Sequence, residues 1–256
     1  VDLSGKTAVV TGAGSGIGQA IARRFAQAGA TVVVNDLNEQ AAEATATELG
    51  QIAITGDAAS EAGVAHLIDR ATAHLGHIDI YVANAGIGTT HGLDASEAEW
   101  ARSWDVNVMA HVRAARHLVP TWLEQGEGRF IVTASAAGLL TMLGDAPYSV
   151  TKHGAVAFAE WLSATYGSQG IEVHAICPLA VSTPMYENSG PLRAVLDRDP
   201  VLDPQEVADA LMGAMDDGRF LVLPHPQAAD YYAFRAQDPD RWLRGMRKIQ
   251  SDLPRD

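Results

Sequence analysis

Seven short apolar runs punctuate the chain: TAVVT at 7–11, TVVVN at 31–35, IAIT at 52–55, IDIYVA at 78–83, FIVTA at 130–134, IEVHAI at 171–176 and FLVL at 220–223. They are rich in β-branched residues and nearly continuous rather than alternating, which predicts strands buried on both faces, as a parallel sheet requires. Between them apolar positions recur at helical spacing, as in GQAIARRFAQAGA at 18–30 and EQAAEATATELG at 39–50. Strand and helix alternating along the chain predict a doubly wound α/β sheet with helices on both faces. The sequence contains neither a repeat of fixed period nor a low-complexity linker, so 1–256 reads as a single domain.

Two segments break this rhythm. The stretch PLAVSTPMYENSGPLRAVLDRDPVLD at 178–203 follows the sixth run and is rich in Pro, Ser and Asp. A long connection at that end of a parallel sheet is either a substrate loop, at about 182–203, or a surface excursion. The tail, about 228–256, mixes Tyr231, Tyr232, Phe234, Trp242 and Met246 with charges. That mixture predicts a packed terminal helix or a subunit contact rather than an active-site cover.

Composition narrows the class. Apolar residues make up 47% and charged residues 19%, as in soluble globular proteins with an ample core. No apolar run approaches the roughly 20 residues of a membrane span. The opening VDLSGKTAVVTG lacks the basic and then apolar pattern of a secretory signal. The single cysteine, Cys177, excludes an intrachain disulfide and fits a reducing cytoplasm. A net charge of −13 argues against nucleic acid or an anionic membrane as partner. His74, His77 and His91 cluster in sequence without a metal-ligand spacing, so no metal is expected.

Three stretches carry candidate chemistry. TGAGSGIG at 11–18 joins the first predicted strand to the first helix, with Gly12, Gly16 and Gly18 in G-x-x-x-G-x-G spacing and Gly14 as an addition. Residues without Cβ permit positive φ and let the backbone approach a pyrophosphate at a helix N-terminus. A plain tight turn would also take glycines, but this order at the first strand–helix junction points to a dinucleotide. Asp36 ends the second run. A carboxylate there accepts from the ribose hydroxyls of NAD and repels the extra phosphate of NADP, although an acid at a helix start can also be only a cap. Ser15 and Asn35 offer that phosphate no cation, so NAD is expected over NADP. In APYSVTKHG, at 146–154, Tyr148 and Lys152 stand one helical turn apart. An ammonium beside a phenol favours the phenolate, a usable general base, yet such pairs also arise by chance.

Taken together these motifs resemble the short-chain dehydrogenase/reductase family, from Leu3 to about Leu223. The resemblance rests on TGAGSGIG, on Asp57-Ala58, on Asn84-Ala85-Gly86, on Asn107 in WDVNV, on Ser135 in VTASAA and on YSVTK. It implies a Rossmann-type sheet and a catalytic tetrad of Asn107, Ser135, Tyr148 and Lys152. The implied cofactor site takes Gly12, Ser15, Gly16, Ile17 and Gly18 from the loop, Asp36 and Leu37 after the second strand, and Asp57 and Ala58 near the adenine. Asn84, Ala85, Gly86, Tyr148, Lys152, Pro178, Val181 and Thr183 complete it. One position departs: the family pattern P-G-x-V-x-T stands here as Pro178-Leu179-Ala180-Val181-Ser182-Thr183, with Leu179 in place of a glycine.

On that resemblance Tyr148 is the general acid/base of an NAD-dependent exchange between a secondary alcohol and a ketone. Lys152 lowers its pKa and binds the ribose, Ser135 holds the substrate oxygen, and Asn107 holds a water that links the lysine to solvent. Bringing a free tyrosine from about 10 to neutrality takes ~4 kcal/mol. One ammonium at about 4 Å supplies ~1 kcal/mol in water and ~4 at an effective dielectric near 20. Lys152 therefore needs a partly closed cleft and the cationic ring beside it. The expected pocket, Ile87, Leu139, Leu140, Met142, Leu143, Leu179, Met185 and Tyr186, is largely apolar and suits an aryl, alicyclic or steroid-like alcohol. A 3-oxoacyl-carrier-protein reductase and a non-catalytic dinucleotide sensor are the alternatives. Asp36 and the acidic charge count against the first, and the intact tetrad against the second. By family analogy the helices at 103–124 and 151–166 are expected to build a homotetramer or homodimer.

Overall fold

The computed structural model describes residues 1–252, so the last four positions of the tail lie outside the described residues. Seven parallel strands form one sheet: β1 (Thr7–Val10), β2 (Thr31–Val34), β3 (Ile52–Ala53), β4 (Ile80–Ala83), β5 (Gly128–Thr133), β6 (Ile171–Ile176) and β7 (Leu221–Val222). Their order is β3-β2-β1-β4-β5-β6-β7. Register is continuous across the centre, with Val9 opposite both Val33 and Tyr81, and Val82 opposite Ile131. The runs IAIT and FLVL yield only two-residue strands. Both lie at the sheet's edges, where one side has no partner to extend pairing.

Alternate strand residues bury against opposite layers. Ala8, Val10, Val32 and Val34 pack with α1 (Gly16–Gln27), α2 (Glu39–Leu49) and, after β6, α9 (Pro204–Asp217). Val9, Val33, Tyr81, Phe130 and Val132 pack with α3 (Glu61–Leu75), α5 (Ala110–Gln125) and α6 (Ala146–Tyr166). Trp122 of α5 anchors the second layer, fully buried, with its indole N–H donating to the Ile78 carbonyl at 2.6 Å. Helix starts follow capping chemistry: the Asn38 and Ser60 side chains accept from the first turns of α2 and α3. Ser96 with Glu99 opens α4 (Glu97–Trp104), and Asp203 with Glu206 opens α9, as reciprocal capping boxes. Between α4 and α5 a five-residue π-helical turn, Asp105–Met109, interrupts the α-helical ladder.

The chain leaves β1 toward β2 on one side and later returns to β4 on the other. The loops after β1 and β4 therefore diverge and open a crevice at the carboxyl ends of the strands. The 182–203 segment is not bare loop. It holds α7 (Pro184–Glu187) and α8 (Arg193–Leu196), and its ends meet in a parallel bridge between Val181 and Leu202. The tail forms α10 (Gln227–Gln237) and α11 (Pro239–Asp252). Among the described residues no helix is long and apolar enough to cross a membrane.

Candidate active site

The glycine loop closes over the start of α1. Gly12 and Gly16 adopt φ of 61° and 56°, a region that residues with a side chain avoid. A Cβ at Gly18 would overlap the Gly12 carbonyl, so this glycine is required by packing and is buried beneath the loop. Gly14 is more than an addition: a Cβ there would stand 2.7 Å from the Ala41 Cβ and 2.9 Å from Asp36 Oδ2. Asp36 folds back to accept from the Gly14 N–H at 3.0 Å and from the Asn38 N–H at 2.9 Å. The end of β2 thus braces the loop. From the other side Asn84 Nδ2 donates to the Thr11 carbonyl at 2.8 Å and to the Gly12 carbonyl at 3.1 Å. Asp57 accepts from the Ala59 and Ser60 N–H groups, at 2.8 and 3.1 Å. Burial raises its pKa, but the Ser60 and Ala59 hydrogen bonds and the Arg113 charge outweigh this and leave it below the ordinary value.

Tyr148, Lys152 and Ser135 converge farther along the same crevice. Asp145 caps α6, accepting from the Tyr148 N–H at 2.9 Å, and Pro147 fits the first turn, where its missing N–H costs nothing. Lys152 Nζ lies 5.6 Å from the Tyr148 ring centroid and donates to the Thr133 carbonyl at 2.9 Å. Lys152 is 3% exposed, and burial lowers its pKa to about 8. Burial also pushes the half-buried Tyr148 phenol up; a hydrogen bond from Ser135 pulls it down, and the Asp145 charge adds to the rise. Ser135 accepts from the Ala137 N–H at 3.1 Å and so opens the turn after β5.

Asn107 is fully buried in the π-helical turn. Its Oδ1 accepts from the Ile87 N–H at 2.9 Å, while Nδ2 donates to the Ile87 carbonyl at 2.9 Å and to Thr151 Oγ1 at 3.0 Å. The side-chain amide thus acts as a strut between this turn and the segment after β4. Gly86 lies between the two groups, since a Cβ there would stand 3.2 Å from Lys152 Nζ and 3.3 Å from Asn107 Oδ1.

A single cleft of about 1110 Å³ unites these parts. Gly12, Ser15, Gly16, Ile17, Asp36 and Leu37 line one end, with Asp57, Ala58, Asn84, Ala85 and Gly86 beside them. Ser135, Tyr148, Lys152, Pro178, Val181 and Thr183 line the middle. Ile87, Leu140, Met142, Leu179, Met185 and Tyr186 line the rest. Two expected pocket residues fall outside this lining. Leu139 is buried in the core, with its carbonyl held by Arg235, and Leu143 is not part of the lining. The tail also departs from expectation, because Tyr231, Trp242 and Ile249 complete the cleft wall. Tyr231 donates to Asp199 at 3.0 Å and packs against Trp242, joining the tail to the 182–203 segment. Sequence reasoning also missed Asp145, whose Oδ2 accepts from the Thr89 and Thr90 N–H groups at 2.7 and 2.8 Å. An acid just ahead of Ala-Pro at a helix start was its available signal.

Comparison with known proteins bears on this arrangement. The family model described as short chain dehydrogenase matches residues 6–193. The chain belongs to this family. It is 35% identical over 249 residues to the 1-deoxy-11-beta-hydroxypentalenate dehydrogenase of Streptomyces exfoliatus, covering 94% of this chain and 90% of that protein. It is 36% identical over 233 residues to the 2,5-dichloro-2,5-cyclohexadiene-1,4-diol dehydrogenase of Sphingobium indicum, covering 89% and 88%. A crystal structure of a short-chain dehydrogenase/reductase from Burkholderia phymatum in complex with NAD superposes with a TM-score of 0.85 at 28% identity, covering 94% and 96%. This short-chain dehydrogenase thus has the family's seven-stranded sheet with helices on both sides.

Proposed function

We propose that this short-chain dehydrogenase is an NAD-dependent enzyme that interconverts a secondary alcohol on an apolar ring system with the corresponding ketone. The observation that carries this reading is one cleft with a dinucleotide cradle at one end, Tyr148, Lys152 and Ser135 at its middle and an apolar wall beyond. The cradle suits the cofactor because Gly14 and Gly18 leave space that any Cβ would fill, and Asp36 stands where a ribose is expected. Gly12, Gly16 and Thr183 would hold the pyrophosphate, Asp36 the adenosine ribose, Lys152 the other ribose, and Val181 with Thr183 the carboxamide. When bound, the nicotinamide accepts or donates the hydride.

The chain's own residues manage the proton and the charge. Tyr148 takes the hydroxyl proton at its phenolate oxygen in oxidation and returns it in reduction. Its burial opposes ionisation, so the cationic Lys152 under the ring is needed to offset that cost. Ser135 donates to the substrate oxygen and stabilises charge that develops there. Leu140, Met142, Leu179, Tyr231 and Trp242 present an apolar surface broad enough for a fused ring. The relatives named for a hydroxypentalenate and a cyclohexadiene-diol support a ring alcohol.

A cytoplasmic location and a homotetramer belong to the same reading. Buried, unpaired Cys177 supports the first, and Val150 and Trp161, exposed on α6, support the second. The deciding experiment follows reduced-nicotinamide absorbance with NAD⁺ or NADP⁺ and a panel of cyclic secondary alcohols, using the parent and Tyr148→Phe. Turnover with NAD⁺ that drops on the order of 10³-fold in the variant supports the proposal. NAD⁺ binding with no turnover in either protein would replace the enzyme by a sensor.

A further inference from the structure

The Pro178–Thr183 turn departs from the family pattern at Leu179, and the structure ties that residue to one outside every expected motif. His225 follows β7 and is 1% exposed. Its Nδ1 accepts from the Leu179 N–H at 3.1 Å, so the ring proton sits on Nε2, which faces the Pro200 carbonyl at 3.1 Å and donates to it. One neutral imidazole thereby bridges the entry and the exit of the 182–203 segment. Burial lowers its pKa, in keeping with the neutral ring that both bonds need.

Two further ties complete the base of the segment. The Pro178 carbonyl accepts from the N–H of Ala136, next to Ser135, at 2.8 Å. Leu202 donates to the Ala180 carbonyl at 3.1 Å and accepts from the Ser182 N–H at 2.9 Å. That bridge uses Ala180 and Ser182 on either side of Val181 and leaves the Val181 N–H out of it. The Leu179 peptide immediately before is set by His225 alone among side chains, while the Leu179 side chain lines the cleft. A residue that merely filled this space would not need an acceptor on one edge and a donor on the other.

We infer that His225 is a positioning residue with two separable tasks: its Nδ1 fixes the Leu179–Val181 backbone at the nicotinamide end of the cleft, and its Nε2 clasps the base of the substrate segment. The first task rests on the cofactor reading above; the second does not. Asparagine places an acceptor close to the position of Nδ1, and glutamine places a donor close to that of Nε2, so the tasks can be parted.

The experiment compares the parent with His225→Asn, His225→Gln and His225→Leu. It measures NAD⁺ dissociation constants and kcat on a cyclic alcohol, and, in the cofactor-free proteins, the rate of tryptic cleavage after Arg193. His225→Asn is expected to bind NAD⁺ within about threefold of the parent yet be cut several-fold faster. His225→Gln is expected to resist trypsin like the parent yet bind NAD⁺ about tenfold more weakly and turn over more slowly, the effect of one lost buried hydrogen bond. His225→Leu should show both defects. If the leucine variant does not fold, the crossed behaviour of the other two decides alone. Asparagine and glutamine variants that behave alike, whether both intact or both impaired in the two readouts, overturn the inference. Should the parent bind neither NAD⁺ nor NADP⁺, the cofactor reading and the first task fall together. The proteolysis then still decides the second: faster cleavage of the asparagine and leucine variants alone upholds the clasp, and equal rates refute it.

Discussion

The Asp145 carboxylate accepts the backbone N–H of Tyr148 at 2.9 Å, so the helix bearing the phenol begins on a buried acid. The same carboxylate holds Thr89 through its N–H and hydroxyl, and Thr90 through its N–H. Among the described residues Thr90 is the non-glycine residue with positive φ, at 60°. One side chain therefore fixes both Tyr148 and a strained turn beside the substrate end of the cleft.

Asp145→Ala should lose roughly 3 kcal/mol of stability, since several charge-assisted hydrogen bonds and a helix cap go at once. Urea unfolding checks it. In Asp145→Asn the fold is retained with a smaller loss and the anion is gone. Burial is the first cause of the raised Tyr148 pKa, and the Asp145 charge raises it further. Removing that charge should move the acid limb of the oxidation rate to lower pH, which a pH–rate profile reads.

Lys152 should cost the cofactor-free protein stability near neutrality. Its folded pKa, about 8, lies below the free value of 10.5 because burial penalises the ammonium. Between those values the unfolded chain binds more protons than the folded one, so this group's contribution becomes more favourable as pH rises through that window and less so as pH falls toward 8. The full difference is about 3 kcal/mol. Lys152→Met should be at least as stable as the parent at pH 7, and the parent's stability should rise relative to the variant as pH climbs. Turnover should fall on the order of 10³-fold. Paired denaturation curves across pH, with an activity assay, test both halves.

Asp36 should matter twice. Asp36→Ala removes the group expected on the ribose and also the acceptor of the Gly14 N–H. NAD⁺ affinity should fall about tenfold, in line with one or two lost polar contacts, while NADP⁺ affinity holds or improves. Fluorescence titration with each cofactor separates these outcomes.

Trp242 should discriminate by substrate size. It packs on Tyr231 and Phe234, with ring centroids 6.5 and 6.2 Å away, and it lines the cleft. Trp242→Ala should raise KM for a fused-ring alcohol about tenfold, the effect of one lost aromatic contact, and leave cyclohexanol nearly unchanged. Steady-state kinetics on the two alcohols give the answer.

Local signals made much of this legible in the sequence. Continuous β-branched runs marked the central strands because both faces of the sheet are covered, while the runs at its two edges yielded only two-residue strands. Tyr148 and Lys152 were readable because one helix sets their spacing, and the glycine loop because backbone geometry restricts residue type. Asn107, Leu139 and His225 could not be read the same way. Their surroundings depend on partners distant in sequence: Asn107 meets the Ile87 backbone, the Leu139 carbonyl accepts from the Arg235 guanidinium, and His225 accepts from the Leu179 N–H. The tail forms the packed helices its pattern predicts, with Tyr231 and Trp242 against the core, but it also lines the cleft. Its aromatic residues suit a core, an interface or a cleft wall equally, and only the folded position of Tyr231 and Trp242 shows that they serve both core and cleft.

The π-helical turn at Asp105–Met109 acts as a phase shifter between two gears. Each residue of an α-helix advances about 100° around the axis, so one surplus residue turns everything after it by that angle relative to what came before. Here the rotation lets α4 face α6 while α5 directs Ala114, Leu118 and Trp122 at α3 and the sheet. Excising one residue from the turn would leave a smoother helix and a worse protein: Arg113 would swing away from the Ala59 carbonyl, and Trp122 away from Ile78. An apparent irregularity thus sets the angular timing between the catalytic layer and the core.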